Sequence, residues 1–382
     1  MKKITFILFV LVVTLMLAEI ALRVLTKREN HIDYLFGKRS YFLPPFHIPE
    51  QVPAVDTAIW KKYNVYDPQL GWSIGKLGAQ PPYYSNYAGH RCSQAAYDSL
   101  IRSQTFYSEL SNQYDIVCIG NSFTHGDEVA YEDTWPYQLQ QRTGLLVLNL
   151  GVGGYGIDQA WLRFEKEKPQ AKLVILGMVA GDLDRAQSQI YNLTVGGLKT
   201  KPMFVEHYGA LQVVNQPTLQ GTELLQEFSK QSGSEFLMRE RNGHILFDQP
   251  WYSSLYVVRT MRAFAVWKAH RQPVYRTAGD DLNLCVNLLA MAKQKTEKQN
   301  ARFVVLIMDN LNTFIDWNNG NPWSLFIQKL TEQNIEVWYY GDQFYQQYKT
   351  NPDAVINKGL VHYTPEANNA LAGFVAKKIQ DK

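Results

Sequence analysis

The chain has 382 residues with a formal net charge of +3, and only 19% of them are charged. Such a length is ample for a core plus an insertion, while the scattered basic residues form neither a stripe nor a recognised nucleic-acid-binding motif, so nucleic acid is not an expected partner. Aromatic residues make up 13%, which suits a groove for sugars or acyl chains and equally well a set of buried core rings.

Lys2-Lys3 precedes an apolar run, Ile4–Ala18, that continues past Glu19 through Ile20-Ala-Leu22 to Arg23. This is a signal peptide or a retained anchor. Bulky Met16, two residues before Ala18, does not suit a cleavage site, and with Glu19 and Arg23 near one end about 20 residues could cross a bilayer. We therefore expect a single-pass anchor over residues 1–28, with the remainder extracytoplasmic, on the periplasmic or outer face. Lys2 and Lys3 favour a cytoplasmic N-terminus, although Arg23, Lys27 and Arg28 on the other flank narrow that vote.

Asp115-Ile-Val-Cys-Ile-Gly120-Asn121-Ser122-Phe-Thr-His-Gly126 is the most informative stretch. Ile116–Ile119 is apolar without alternation, as in a parallel strand buried on both faces, and it runs directly into a small-residue turn carrying Ser122. Ligand chemistry in such sheets lies at the carboxyl ends of the strands. Ser122 is either a nucleophile or the cap of the next helix. A second short strand, Val147–Asn149, breaks into Gly151-Val-Gly153-Gly154-Tyr-Gly156, where backbone N–H groups can face a developing oxyanion.

Helices are expected at Trp135–Arg142, Ile157–Glu167 and Trp323–Thr331, and strands at Leu173–Leu176, Phe303–Met308 and Ile335–Trp338. This alternation predicts a parallel three-layer α/β/α sandwich. Residues 187–276 lack the rhythm and read as an inserted cap or packing extension, with an aromatic helix-like run at Trp251–Trp267. Near the end, Val361-His362-Tyr-Thr364-Pro365 sets a histidine ahead of a helix start, with Thr364 as N-cap and Pro365 at the first helical position. His362 is a general base or a turn histidine.

These blocks, in this order, resemble the SGNH or GDSL-like hydrolases of the membrane-anchored bacterial type, from Asp115 to the C-terminus. Gly120-Asn121-Ser122 looks like the family's Gly-Asp-Ser block, Asn149 through Gly156 like its second block, and His362 like the histidine of its fifth. Tyr66–Trp72 and Asn86–Arg91 are similar to the region preceding the core in membrane-anchored members. The resemblance implies a flavodoxin-like sheet and a Ser122 nucleophile activated by His362, with oxyanion donors at Ser122 and Gly154. It implies no cofactor and no metal.

Two positions depart from the family pattern. Gly181 stands where the oxyanion-hole asparagine is expected, and Gly359 stands three residues before His362, where the orienting aspartate belongs. Asp342 and Asp353 are the candidates to fill that role.

The resulting expectation is an anchor (1–28), an N-terminal extension (29–110) and a hydrolase domain (111–382) interrupted at about 187–276. Its activity would be that of an esterase or acyltransferase on O-acyl esters of envelope glycan or lipid. The competing expectation is a catalytically impaired member that binds glycan or a partner among envelope polysaccharide assembly proteins.

Several other residues have simpler readings. His125 is expected to face solvent or substrate, Asp182 and Asp184 to serve as loop and cap residues, and Arg91 to anchor the N-terminal segment. Cys118 is expected to be a buried hydrophobe, Cys92 and Cys285 could pair in an oxidising compartment, and Asn192-Leu-Thr194 matches a glycosylation acceptor.

Overall fold

The computed structural model describes residues 2–29, 32–36, 43–44, 62–103, 112–191, 198–270, 273–317 and 320–381. The chain forms two compact units: Met1–Val55, Ser188–Thr200 and Leu219–Gln272 in one, and Asp56–Gln187, Lys201–Thr218 and Pro273–Lys382 in the other. The segment expected as an insertion, 187–276, is thus divided between them. Lys201 explains part of that division, because its ammonium is buried in an ion pair with Asp158 on helix Ile157–Glu167. A lysine buried so deeply needs such a partner. The glycosylation acceptor Asn192–Thr194 lies outside the described residues.

The larger unit is built on five parallel strands: β1 (Gln113–Gly120), β2 (Val147–Asn149), β3 (Gln170–Met178), β4 (Arg302–Ile307) and β5 (Glu336–Tyr339). Their spatial order is β5-β4-β3-β1-β2, the flavodoxin-like order that the sequence led us to expect. Val117, Cys118 and Ile119 are fully buried because both sheet faces are covered.

Successive side chains of a strand point to opposite faces. Ile116, Cys118, Ile175 and Val304 pack with Trp135 and Leu139 of helix Trp135–Thr143 and with Leu371 and Val375 of helix Pro365–Gln380. On the opposite face, Phe303 meets Trp161 of helix Ile157–Glu167 edge-on, with ring centroids 6.5 Å apart. Helix, sheet and helix therefore form three layers.

The order places a topological switch point between β1 and β3, whose flanking connections leave to opposite sides, and clefts form outside the strand ends at such points. Ser122 follows the end of β1 by two residues. The close β1–β3 approach demands glycine at 120, since a Cβ there would come within 2.3 Å of the Gly177 carbonyl oxygen and 2.4 Å of Thr124 Oγ1.

In the smaller unit, helix Lys2–Leu25 includes a 23-residue stretch, Lys3–Leu25, long and apolar enough to cross a membrane. A signal sequence would have the same character. The aromatic run expected around Trp251–Trp267 is a short 3₁₀ turn, Trp251–Ser254, followed by helix Tyr256–His270. All three cysteines are free thiols; Cys92 is half-buried, and Cys118 and Cys285 are buried, so the possible Cys92–Cys285 pair is not formed.

Candidate active site

Gly120 ends β1, and Asn121 caps the single-turn helix Ser122–His125 by accepting the Phe123 N–H at 2.8 Å. Gly126, at φ 81°, closes that turn by donating its N–H to the Ser122 carbonyl at 2.8 Å. The strand end and both caps fix the serine side chain within a short, buried turn.

The next glycine turn is tied to this one. Asn149 donates its side-chain amide to the Thr124 carbonyl at 2.8 Å and accepts the Gly151 N–H at 2.9 Å. Gly151 packs so closely that a Cβ would lie 2.3 Å from the His125 nitrogen. Gly154 follows with φ 79°. Among the described residues, no backbone acceptor takes the N–H of Ser122 or of Gly154.

His362 sits just ahead of helix Pro365–Gln380, whose first turn is capped by Thr364 with Pro365 following. Its Nε2 lies 2.8 Å from Ser122 Oγ, so residues 240 positions apart in the chain are brought into hydrogen-bond contact. Its Nδ1 lies 2.7 Å from Oε1 of Glu128. The carboxylate accepts Nδ1–H, which leaves Nε2 free to accept the serine proton. Glu128 also accepts the backbone N–H of His362 at 3.0 Å, so ring and main chain are held together. Phe123 packs on the imidazole with ring centroids 4.9 Å apart.

The carboxylate on His362 is therefore neither of the aspartates considered from sequence. Asp353 is exposed and has Lys358 4.0 Å away, and Asp342 lies exposed in the first turn of helix Gly341–Thr350. Gly359 occupies a left-handed turn at φ 73°, with open space where a side chain would begin.

Glu128 was missed because it lies only six residues after Ser122, whereas the family pattern directs attention to the residues before His362. The available signal was the acidic pair Asp127-Glu128 directly after the Ser122 turn.

Its backbone is unusual for a non-glycine residue, with φ 70°. A strained conformation persists only where its surroundings over-determine it. Tyr83 Oη accepts the Glu128 N–H at 2.8 Å. Arg91 donates to the carbonyls of His125, Gly126 and Val129, and its guanidinium lies 4.9 Å from the centre of the Tyr83 ring. Arg91 does anchor the N-terminal segment, and its attachment point is the loop that carries Glu128.

His125 does not face solvent or substrate. It is buried, with Nδ1 on Asp127 and Nε2 2.6 Å from the Tyr63 hydroxyl. Burial lowers its pKa against the pull of Asp127, so a neutral ring donates to the carboxylate and accepts from the phenol. The pair braces the loop from below.

Gly181 lies in helix Ala180–Arg185, and a Cβ there would find only the Arg185 guanidinium carbon, 4.0 Å away. The next residue, Asp182, is fully buried and accepts hydrogen bonds from the Asn121 amide, from the Val179 N–H at 2.9 Å and from Arg185 at 2.7 Å. Asparagine at 121 supplies the donor that an aspartate would lack. Burial pushes the Asp182 carboxyl up to about 7, against the pull of Arg185 and of these donors. Arg185 also donates to the Tyr155 carbonyl at 3.4 Å, which ties it to the residue after Gly154.

Fold and site together define a serine–histidine–carboxylate constellation at the switch point of a doubly wound parallel sheet. No family model and no curated protein matches the chain in sequence. In structure, it is similar to a Desulfitobacterium hafniense DCB-2 protein placed in the lipolytic G-D-S-L family, at 13% identity and TM-score 0.36 over 69% of this chain and 98% of the other. It is similar also to the psychrotrophic esterase EstA from Pseudoalteromonas sp., at 12% identity and TM-score 0.36 over 71% and 98%. A third similar structure is the acetyl-xylooligosaccharide esterase Axe2 from Geobacillus, at 12% identity and TM-score 0.36 over 71% and 96%.

The raised Asp182 carboxyl has a consequence for stability. Between an ordinary aspartate value near 3.8 and about 7 the folded chain holds a proton that the unfolded chain has released. This group's contribution therefore falls as pH rises through that window. Asp182→Asn should flatten that segment of the stability–pH curve measured by chemical denaturation. An unchanged slope would refute the assignment.

Proposed function

We propose that the protein is a serine esterase or O-acyltransferase that works through an acyl-enzyme on Ser122. The observation that carries this reading is the continuous line Ser122 Oγ to His362 Nε2 at 2.8 Å and His362 Nδ1 to Glu128 Oε1 at 2.7 Å. It meets the geometric requirements of an activated nucleophile: base within reach, and base oriented by a third group.

In the first half-reaction Ser122 Oγ attacks the ester carbonyl carbon while His362 Nε2 takes its proton, and the carbonyl π pair becomes the oxyanion. Collapse expels the alkoxide, which receives the proton from His362. In the second half-reaction water or an acceptor hydroxyl attacks the acyl-enzyme, with His362 again as base and then as acid to Ser122. Glu128 keeps the imidazole in the required tautomer and stabilises its protonated form.

The oxyanion would be held by the N–H groups of Ser122 and Gly154. Gly181 has no side chain to contribute, and we assign the third donor to Arg185, whose guanidinium borders the space an asparagine at 181 would occupy. A cationic donor in this position would favour an anionic transition state more strongly than an amide.

The substrate class we propose, O-acyl esters of cell-envelope glycan or lipid, follows from the family resemblance and from an N-terminal helix able to serve as a membrane tether. The competing reading of a lapsed binding protein rested on Gly181 and Gly359. Glu128 removes the second of these supports.

Incubating the protein with a fluorophosphonate and reading intact mass tests nucleophile activation without a known substrate. Wild type should gain one stoichiometric adduct, and Ser122→Ala and His362→Ala none; a folded wild type that does not label would favour the binding-protein reading. Arg185→Ala should slow turnover of an activated aryl ester by roughly 10²–10³ with little change in KM, the usual cost of losing one oxyanion donor. An unaltered kcat would remove Arg185 from that role.

A further inference from the structure

Helix Tyr256–His270 carries several large apolar residues on its exposed side. Val266 and Arg259 are buried, whereas Met261 is 68% and Phe264 60% exposed, with Trp267 and Leu255 also exposed. Met261, Phe264, Ala265 and Lys268 recur at spacings of three and four, which places them on one helix face. Trp251, 88% exposed, and Tyr252 extend the patch through the preceding 3₁₀ turn, with ring centroids 5.6 Å apart. Lys268 is the exposed cation of this face. A contiguous apolar face of this kind marks a contact surface.

Its position identifies the contact. The start of this helix is joined to the apolar N-terminal helix: Glu19 accepts the Val257 N–H at 3.0 Å, and the Arg23 guanidinium lies 4.7 Å from the centre of the Tyr256 ring. Glu19 precedes Leu25, the end of the N-terminal helix, by six residues, or about 9 Å of helix rise. That matches the depth of roughly 5–10 Å at which an amphipathic helix lies between headgroups and acyl chains.

The attachment is also braced. Asp33 accepts from Arg28 at 2.8 Å and from Arg259 at 2.7 Å, and Arg259 donates to the carbonyls of Leu43 at 2.8 Å and Pro44 at 3.0 Å. Burial of Arg259 in this network turns the opposite, apolar face of the helix outward.

We propose that helix Tyr256–His270 and the Trp251–Ser254 turn form an interfacial element that beds into the same bilayer leaflet from which the N-terminal helix emerges. Tryptophan and tyrosine favour that interface, and the exposed Lys268 can reach phosphate headgroups. The element would hold the smaller unit against the membrane as a second, reversible contact beside the spanning helix. This inference rests on the tether in the proposed function.

Spin labels placed singly at Leu11, Trp251, Phe264 and Tyr208 of the full chain, in a Cys92→Ser background, test it after reconstitution into vesicles of mixed zwitterionic and anionic phospholipid. The readout is collision accessibility to oxygen against a water-soluble nickel chelate. Leu11 should read deep in lipid, Trp251 and Phe264 shallow but lipid-facing, and Tyr208, 96% exposed on a hairpin tip of the other unit, aqueous. Labels at Trp251 and Phe264 that match Tyr208 while Leu11 reads deep would overturn the docking and leave the tether standing. Immobilised labels at 251 and 264 without an oxygen preference would overturn it in favour of a protein partner. An aqueous Leu11 would remove the tether, and the docking with it.

Discussion

The site depends on how the buried Arg91 guanidinium pins the loop after Ser122. That loop must do two incompatible-looking things, closing a helix turn at Gly126 and then, two residues later, turning a glutamate back toward a histidine from the far end of the chain. Free of support, Glu128 at φ 70° would relax to a common conformation and withdraw its carboxylate from His362. Three carbonyls of the loop are satisfied by one guanidinium, and the Tyr83 hydroxyl takes the Glu128 N–H. Removing the guanidinium would leave buried carbonyls unpaired, at about 1–3 kcal/mol each. Residues well before β1 in sequence thereby set the geometry of the chemistry.

A second chain of polar contacts runs beneath the nucleophile. Asn121 bridges from the Phe123 N–H to Asp182, and Asp182 passes the connection to Arg185 beside the glycine turn. With aspartate at 121, two carboxylates would meet in a buried space and one would have to be protonated. With asparagine, the amide donates to Asp182 while its oxygen still accepts the Phe123 N–H. The residues at 121 and 185 thus belong to one network, in which an amide and a guanidinium meet across the buried Asp182 carboxyl.

Much of this architecture was legible because it is written locally. Ile116–Ile119 running into Gly120-Asn121-Ser122 announces a buried strand and a turn, and Thr364-Pro365 announces a helix start, since both depend on a few adjacent residues. Ser122 and His362 could be paired because each carries a local signature. Glu128 carried none that was strong enough. Its role depends on a left-handed backbone held by Arg91 and Tyr83, and on a partner 234 residues away, so proximity to His362 in sequence pointed to Asp342 and Asp353 instead. His125 was misplaced for a related reason: Tyr63, which helps to bury it, is 62 residues distant. The outward apolar face of helix Tyr256–His270 was likewise invisible, because its periodicity alone does not say which face the fold covers.

The central claim is that Glu128 orients His362, and the rate of fluorophosphonate acylation in Glu128→Gln beside Asp342→Asn and Asp353→Asn tests it most directly. We predict that Glu128→Gln acylates more slowly by about 10²–10⁴, the scale set by removing the carboxylate of such a triad, while the two aspartate variants match wild type. Acylation of Glu128→Gln at the wild-type rate, or its loss in either aspartate variant alone, would contradict the account.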